Sequence, residues 1–518
     1  MDTATVNPLA FIAYLMPLSL ILTAWLMRGS VKRLFTAGRA VASSTFILSV
    51  LLAGFVFASG PLVSPLLGVD DIGITLRLDA LSIAMCWLVT FLGALLIQFS
   101  RNYLDGDARQ AAFLRRLYLT LAAVLLLVLS GNLWQLVLAW VGTSLALHQL
   151  LLFYKERPRA IRAARKKFIV ARLGDLCMIV AALLVAQAFG TADLGAIHAA
   201  ANDALAAGNA PAGVGIAAVL LVLAAALKSA MFPFHGWLLE VMETPTPVSA
   251  LLHAGLLNAG TFLIVRFGEL VFLSTPALIL LIFIGGFTAI FASSAMVTQS
   301  SVKVSLAYSS AAHMGFMLML CGFGAHSVAI MHLIAHSCYK AHAFLSSGSV
   351  VEYVQSTGKQ KLDTVPHPLS VLANLLLSLG IFLLIAALVG IDPLKRPGET
   401  ALGAIFVMAV AYLLVKGTTG KAPLYVIGRT GLLAVLVTLA FFALELSAAA
   451  ILGSAVAVFP TPDAAATIAM LIAVIAFGSV TLLSALLPML AQRPAWRAFY
   501  VHLKNGFYAN ALFDRVTR

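Results

Sequence analysis

The sequence predicts an all-α, polytopic membrane protein, and three observations carry that prediction. Of 518 residues, 62% are hydrophobic and only 10% are charged, and the mean hydropathy is +1.02. A soluble chain of this length cannot hide so much apolar surface. Apolar runs of about 18 or more residues, the length that crosses a hydrocarbon core as a helix, recur along the whole chain. Alternating strands of about ten residues are absent, which argues against a membrane barrel.

The first apolar run, Phe11 to Met27, lacks a basic leading segment and a small-residue cleavage site. It reads as the first span rather than a signal peptide. About 14–15 transmembrane helices are expected in all. Their approximate extents are 10–27, 41–59, 80–99, 114–130, 132–153, 168–187, 213–239, 248–271, 275–296, 303–322, 325–347, 368–390, 401–415, 431–456 and 465–489. Cys86, Cys177, Cys321 and Cys338 all fall inside these spans without metal-ligand spacing, and they read as small buried hydrophobes.

Charge sets the topology. Most of the 33 Lys and Arg residues lie in alternate loops and in the C-terminal tail. The richest stretch is "KERPRAIRAARKKFIVAR", Lys155 to Arg172. The opposite loops hold Arg77, Lys395 and Arg396 and are otherwise mildly acidic, with Asp70, Asp71, Asp193, Asp203 and Asp463. The positive-inside rule puts the N-terminus in the periplasm and the C-terminus in the cytoplasm of a bacterial inner-membrane protein. The net charge of +13 is therefore topological information, and no nucleic-acid partner is expected; the membrane lipid is the surrounding partner. Lys155–Lys167 reads as a solvated, topology-setting loop, and with the tail it is a candidate docking surface.

Ionisable groups inside a span cost roughly 2.5–3.5 kcal/mol or more at the centre, which marks them as functional candidates. Lys228 lies deep in the seventh span. His332, His336 and Lys340 follow one another at steps of four and share one helix face. His313, His253 and His148 lie in the tenth, eighth and fifth spans. Arg172 and Asp175 are three apart near the cytoplasmic end of the sixth, and Glu445 stands in the fourteenth. Each histidine reads either as a satisfied core residue or as a relay member. Arg172 and Asp175 read either as a helix-end salt bridge or as a functional pair. His332 and His336 have the spacing of a zinc pair, but no acidic or cysteine ligand shares their face, so no metal is expected. A lysine in mid-membrane must pair, face water or lose its proton. Pro233 follows Lys228 within two turns and frees a carbonyl near residue 229. That freed backbone must line a cavity or be satisfied internally, and interrupted helices beside buried charges mark ion sites in transporters. His235, Glu240 and Glu243 lie at the cytoplasmic end of the same stretch, a path for protons to reach the lysine. No nucleotide loop, CxxC, HExxH or nucleophile elbow occurs, so an enzyme is not expected.

Four segments, in order, resemble a known family: "KKFIVARLGDLCMIVAALLVAQAFGT" (166–191), "KSAMFPFHGWLLEVMETPTPVSALLHAGLLNAGTFLIVR" (228–266), "SVKVSLAYSSAAHMGFM" (301–317) and "MHLIAHSCYKAHAFLSSGSV" (331–350). They resemble the antiporter-like membrane subunits of respiratory complex I and the Mrp antiporters. The resemblance implies two inverted five-helix repeats with a polar axis at mid-membrane. It implies that Lys228 is the central proton-handling lysine, that His253, His332, His336 and Lys340 line the axis, and that Arg172 and Asp175 are a polar pair. Val141 stands where the family carries the glutamate that partners the lysine, and His148 is a candidate substitute. The family's second broken helix is not visible after residue 360, where Lys416 or Glu445 is left to fill its role, and there is no room for the long lateral helix of the largest complex I subunit.

These departures resemble most the membrane subunit of the two-component DAB inorganic-carbon accumulation complex. That resemblance implies a large zinc-dependent β-carbonic-anhydrase-like partner (DabA) and no cofactor in this chain. Catalysis then belongs to the partner, while this chain couples a cation gradient, expected to be protons, to CO2 hydration. The alternatives are a subunit of an Mrp-type antiporter or complex I-like oxidoreductase, and a membrane anchor that conducts nothing. The expected organisation is N-terminal helices over 1–110, a translocation core over 111–355, divergent helices over 356–490 and an amphipathic tail over 491–518.

Overall fold

The computed structural model describes residues 5–27, 30–348, 367–392, 397–418, 423–490 and 493–517. The expected loop 352–366, Lys395, Arg396 and the Glu243 side chain lie outside the described residues. The first helices are α1 (Leu15–Leu26), α2 (Val31–Ser59), α3 (Ala80–Tyr103), α4 (Gln110–Val128), α5 (Leu133–Leu151), α6 (Pro158–Phe189) and α7 (Leu194–Ala207). The interrupted middle comprises α8 (Val214–Lys228), α9 (Gly236–Glu240), α10 (Thr246–Ala254), α11 (Ala259–Arg266) and α12 (Gly268–Phe272). Then come α13 (Thr275–Val297), α14 (Val302–Gly322), α15 (His326–Leu345), α16 (Pro368–Val389), α17 (Pro397–Thr418), α18 (Leu424–Leu452) and α19 (Ala464–Leu490), and the tail adds α20 (Pro494–Lys504) and α21 (Ala509–Thr517).

Among the described residues, twelve helical segments are long and apolar enough to cross a membrane, with α10 and α11 counting as one. Three further segments read as spans, α5, α8 and α15, are also helical. The α8 helix has only 15 residues, whereas α5 and α15 have the length but are diluted by Gln, His and Lys. These three carry most of the polar site described below.

Local signals start and stop the helices. The side chains of Asp79, Asn132, Asp193 and Ser274 accept hydrogen bonds from the first turns of α3, α5, α7 and α13. The sixth span departs from expectation: α6 begins at Pro158, ten residues before the expected start, and ends on Gly190 in the left-handed region. Proline suits the first helical position, and the Ala, Arg and Lys that follow are strong helix formers. The basic stretch is therefore helix, and Arg172 and Asp175 lie near its middle, not at its end.

A small β element, absent from the sequence expectations, caps one end. Thr5–Val6 pairs parallel with Leu62–Val63, which pairs antiparallel with Arg77–Leu78. Leu67–Val69 and Ile72–Ile74 form a hairpin whose two turn residues, Asp70 and Asp71, have φ of 48° and 64°, the geometry that matches strand twist in a two-residue loop.

The two ends of the bundle differ in charge. At the acidic end, Asn132 Nδ2 donates to the Asp71 carbonyl at 2.7 Å and Thr275 Oγ1 to Asp463 at 2.5 Å. At the basic end, Lys303 Nζ reaches Thr246 Oγ1 at 3.3 Å and Gln299 Nε2 the Lys504 carbonyl at 3.2 Å. Near the acidic end, Arg266 closes α11 onto α3 through Asp79, at 2.5 and 3.1 Å, with Arg77 on the same carboxylate at 2.7 Å. Burial alone would raise the Asp79 carboxyl, but the two guanidinium groups more than offset it and hold it well below the usual carboxylate range. In the core, α13 and α14 touch through glycine: a Cβ on Gly285 or Gly315 would stand 2.6 Å from the other's carbonyl oxygen, so only small residues permit this approach.

Candidate ion-conducting site

The stretch after Lys228 is where the backbone leaves regular structure. The α8 helix stops at Lys228 and not at Pro233. Ser229 caps it, Ala230 takes φ of 55°, and the Phe232–Pro233 peptide is cis. The connector's polar groups are satisfied by protein. Ser229 Oγ donates to the Leu257 carbonyl at 2.9 Å, the Met231 N–H to the Ala226 carbonyl at 3.1 Å, and the Phe232 N–H to Thr288 Oγ1 at 3.1 Å. The second interruption lies opposite, where Gly255 and the turn Leu256–Asn258 separate α10 from α11. The two breaks meet where Ser229 bonds the Leu257 carbonyl, so protein supplies partners to freed backbone, the condition for irregular structure at membrane depth.

Lys228 donates to the Trp140 carbonyl at 3.0 Å and to Thr143 Oγ1 at 2.9 Å, and its ammonium sits 4.3 Å from the centre of the Trp140 ring. The carboxylate whose charge it feels is Asp175. Asp175 is held by Arg172 Nη2 at 2.5 Å, and the Trp140 indole lies beside it without completing a hydrogen bond. The position expected of a glutamate at Val141 is therefore served from α6 across the gap from α5. His148 does not take that role: its ring packs on Phe168 at 5.0 Å, and the charges acting on it are Lys167 and Arg172.

From the α8 break a run of polar groups leads to α15. Asn258, in the second interruption, donates to Ser337 Oγ at 2.7 Å. His336, next in sequence, is 4% exposed, and neither ring nitrogen has a partner. His253 is fully buried, stacked on Phe344 at 4.4 Å, again with both nitrogens unpartnered. Lys340 is also fully buried and donates to the Leu306 carbonyl at 3.1 Å. His313 Nδ1 and His332 Nε2 are 3.0 Å apart, and the His336 ring lies 4.9 Å from His313. Beyond His332 opens a cavity of 430 Å³ walled by Phe316, Phe406, Phe441, Phe477 and Thr481, with Glu445 on its far side. Glu445 thus shares a cavity with His332, whereas Lys416 lies in the last turn of α17 against Tyr412, 5.4 Å from its ring centre. Among the described residues, α16 to α19 are uninterrupted helices, and no second broken helix occurs there.

At the basic end, His235 is buried among Phe232, Phe291 and Tyr308. Glu240 is engaged with Lys166 at 2.6 Å and with Asn510 at 2.7 Å, and Lys166 also binds Asp514 at 2.5 Å. The tail helix α21 is tied down by these contacts, directly over the interrupted stretch. Lys166 and Lys167 correct the solvated-loop reading. They are 1% and 5% exposed, and Lys167 donates to the Ser144 carbonyl and hydroxyl at 2.7 and 3.0 Å. A signal for Lys167 was present, because Lys167, Ala171 and Asp175 follow at steps of four on one helix face. Asn258 and Ser337 carried none, being uncharged polar residues common in membrane helices.

Comparison with known proteins gives this geometry a family. Residues 130–416 match the family described as NADH:quinone oxidoreductase/Mrp antiporter, TM, and residues 67–114 match the complex I chain 5 N-terminus. A relative from Halothiobacillus neapolitanus, named probable inorganic carbon transporter subunit DabB2, is 37% identical over 87% of this chain and 81% of its own length. A probable inorganic carbon transporter subunit DabB from Hydrogenovibrio crunogenus is 38% identical over 68% of this chain and 66% of its own. The Mrp complex from Dietzia sp. DQ12-45-1b superposes with a TM-score of 0.64 at 25% identity, over 98% of this chain and 60% of that one. The chain is an all-α, multi-pass membrane protein that belongs to the NADH:quinone oxidoreductase/Mrp antiporter family of membrane subunits.

Proposed function

We propose that this chain is the proton-conducting membrane subunit of an energy-coupled inorganic-carbon pump. Its basic end faces the cytoplasm and receives a large zinc-dependent partner resembling a β-carbonic anhydrase. The partner hydrates CO2, and protons moving through this chain make that hydration directional. The observation that carries the reading is the run of polar groups from Asp175 and Lys228, through Asn258 and Ser337, to His336, His313 and His332. Such groups are expensive within a membrane, and an inert anchor has no use for them. The names of the DabB relatives support the cargo. The replacement of the family's glutamate by Val141, with Asp175 supplying the charge from α6, supports the carbon pump over an antiporter subunit.

Lys228 exchanges protons with its surroundings, and Asp175 stabilises its charged form. Thr143 and the Trp140 carbonyl accept from the ammonium and hold it in place. His253 on α10, His336 and the His313–His332 pair pass the proton from α10 to α15 and α14, and Glu445 receives it across the cavity. The test is Lys228→Ala in cells that grow in air only with the complex. Loss of growth in air at normal membrane abundance is expected, and full growth rejects a proton-handling Lys228. Bicarbonate accumulation that survives a protonophore with no other ion gradient present rejects the coupling itself.

A further inference from the structure

Three buried titratable side chains at the acidic end play no part in the mechanism above. His326 opens α15, the helix that carries His332, His336 and Lys340. It is 1% exposed, its ring lies flat on Phe272 at 4.8 Å, and neither nitrogen completes a hydrogen bond although the Cys321 carbonyl lies beside it. Glu269, 2% exposed, follows Gly268 in sequence and places Oε2 3.0 Å from His198 Nδ1. His198 sits on α7 five residues before the exposed Asp203, and its Nε2 is also buried without a partner. The backbone is shaped to admit the cluster: a Cβ on Gly268 would stand 2.6 Å from His326 Cε1 and 2.9 Å from Nδ1.

We infer that His326, Glu269 and His198 form the proton-transfer site between the α15 histidines and the acidic face of the membrane. The inference rests on the proton-conducting reading above. A structural ion pair needs one donor and one acceptor. Here a second imidazole packs over Gly268, the residue beside the same carboxylate, and three ring nitrogens stay buried and unpartnered, an arrangement that costs desolvation unless a mobile proton or water uses them. The donor set also selects the cargo. Two imidazoles with one carboxylate exchange protons, whereas a hard cation such as Na+ requires an oxygen cage. The placement is apt, because His326 precedes His332 by six residues, about 9 Å of helix, and α7 carries His198 beside the exposed Asp203.

The test is proton flux into proteoliposomes of the intact complex, with a pH dye trapped inside. Glu269→Gln and His326→Gln are each expected to lower flux about tenfold or more, the scale of a lost proton-transfer group, with thermal unfolding unchanged and with Glu269→Asp restoring flux. Wild-type flux in both glutamine variants beside a silent Lys228→Ala overturns this site and leaves the proposed function standing. Loss of flux that tracks a lowered unfolding temperature in Glu269→Gln, His326→Gln, His326→Asn and Glu269→Asp alike assigns the cluster a structural role and also overturns it. Normal flux in Lys228→Ala overturns the proposed function instead.

Discussion

The helices around Lys228 and the four helices α16 to α19 meet the same solvent in opposite ways. The α10–α11 span is 94% buried and broken in its middle, while α18 is 22% buried and unbroken over 29 residues. The first region concentrates lysines, histidines and freed backbone, and covers them with neighbouring helices. The second presents leucine to lipid along most of its length, with Leu432, Leu436 and Leu439 exposed on α18, and contributes Glu445 to the cavity wall. The difference shows that polarity inside this membrane protein follows coverage. Irregular backbone and charge are tolerated where protein supplies the partners that lipid cannot, and the covered region is where the proposed proton path runs.

Five substitutions sharpen or break that contrast. Lys228→Ala is expected to lower proton flux by about a hundredfold, the scale of a lost central proton carrier. Flux measured in proteoliposomes at more than half the wild-type rate would erase the distinction between the two regions. Asp175→Asn is expected to cost about tenfold, since the half-exposed Arg172 then acts on Lys228 with no carboxylate to offset it; an unchanged rate would mean that the lysine is tuned by something other than this carboxylate. Asp79→Asn leaves Arg266 buried without its full partner and should destabilise the fold by about 3–5 kcal/mol, read as a lowered unfolding temperature in detergent, and no shift would show that covered charge is not costly here. Glu445→Gln should lower flux only a few-fold, because the cavity beside it can admit water as an alternative carrier; a loss as deep as that of Lys228→Ala would place the second region on an equal footing. Leu439→Ala, on the lipid face of α18, should leave both flux and unfolding temperature unchanged within error, as expected of a side chain that lipid solvates.

Much of the site was legible before the structure. The order of spans, the alternation of basic and acidic loops, and the placement within helices of the buried Lys340 and His336 and the half-buried Lys228 and His332 follow from hydropathy, charge and helical spacing. The Arg172–Asp175 pair was visible as a spacing of three, although its mid-helix position was not, because the helix-forming "RAIRAARKK" was read as loop. The Asp70–Asp71 hairpin was missed because hydropathy dominates the reading of such a chain. The tail's contacts with Lys166 were invisible, since they join residues more than three hundred positions apart.

The sequence by itself determined the fold class, the alternation of basic and acidic loops and which residue types had to be covered. Those properties follow from transfer free energies, which each segment carries alone. Only the tertiary structure decided partners. Asp175 rather than His148 faces Lys228, Glu445 rather than Lys416 shares a cavity with His332, and His326 packs over Gly268, the residue beside Glu269. The physical reason is that burial is a demand each residue makes locally, while the group that satisfies it is chosen by which helices come to lie side by side.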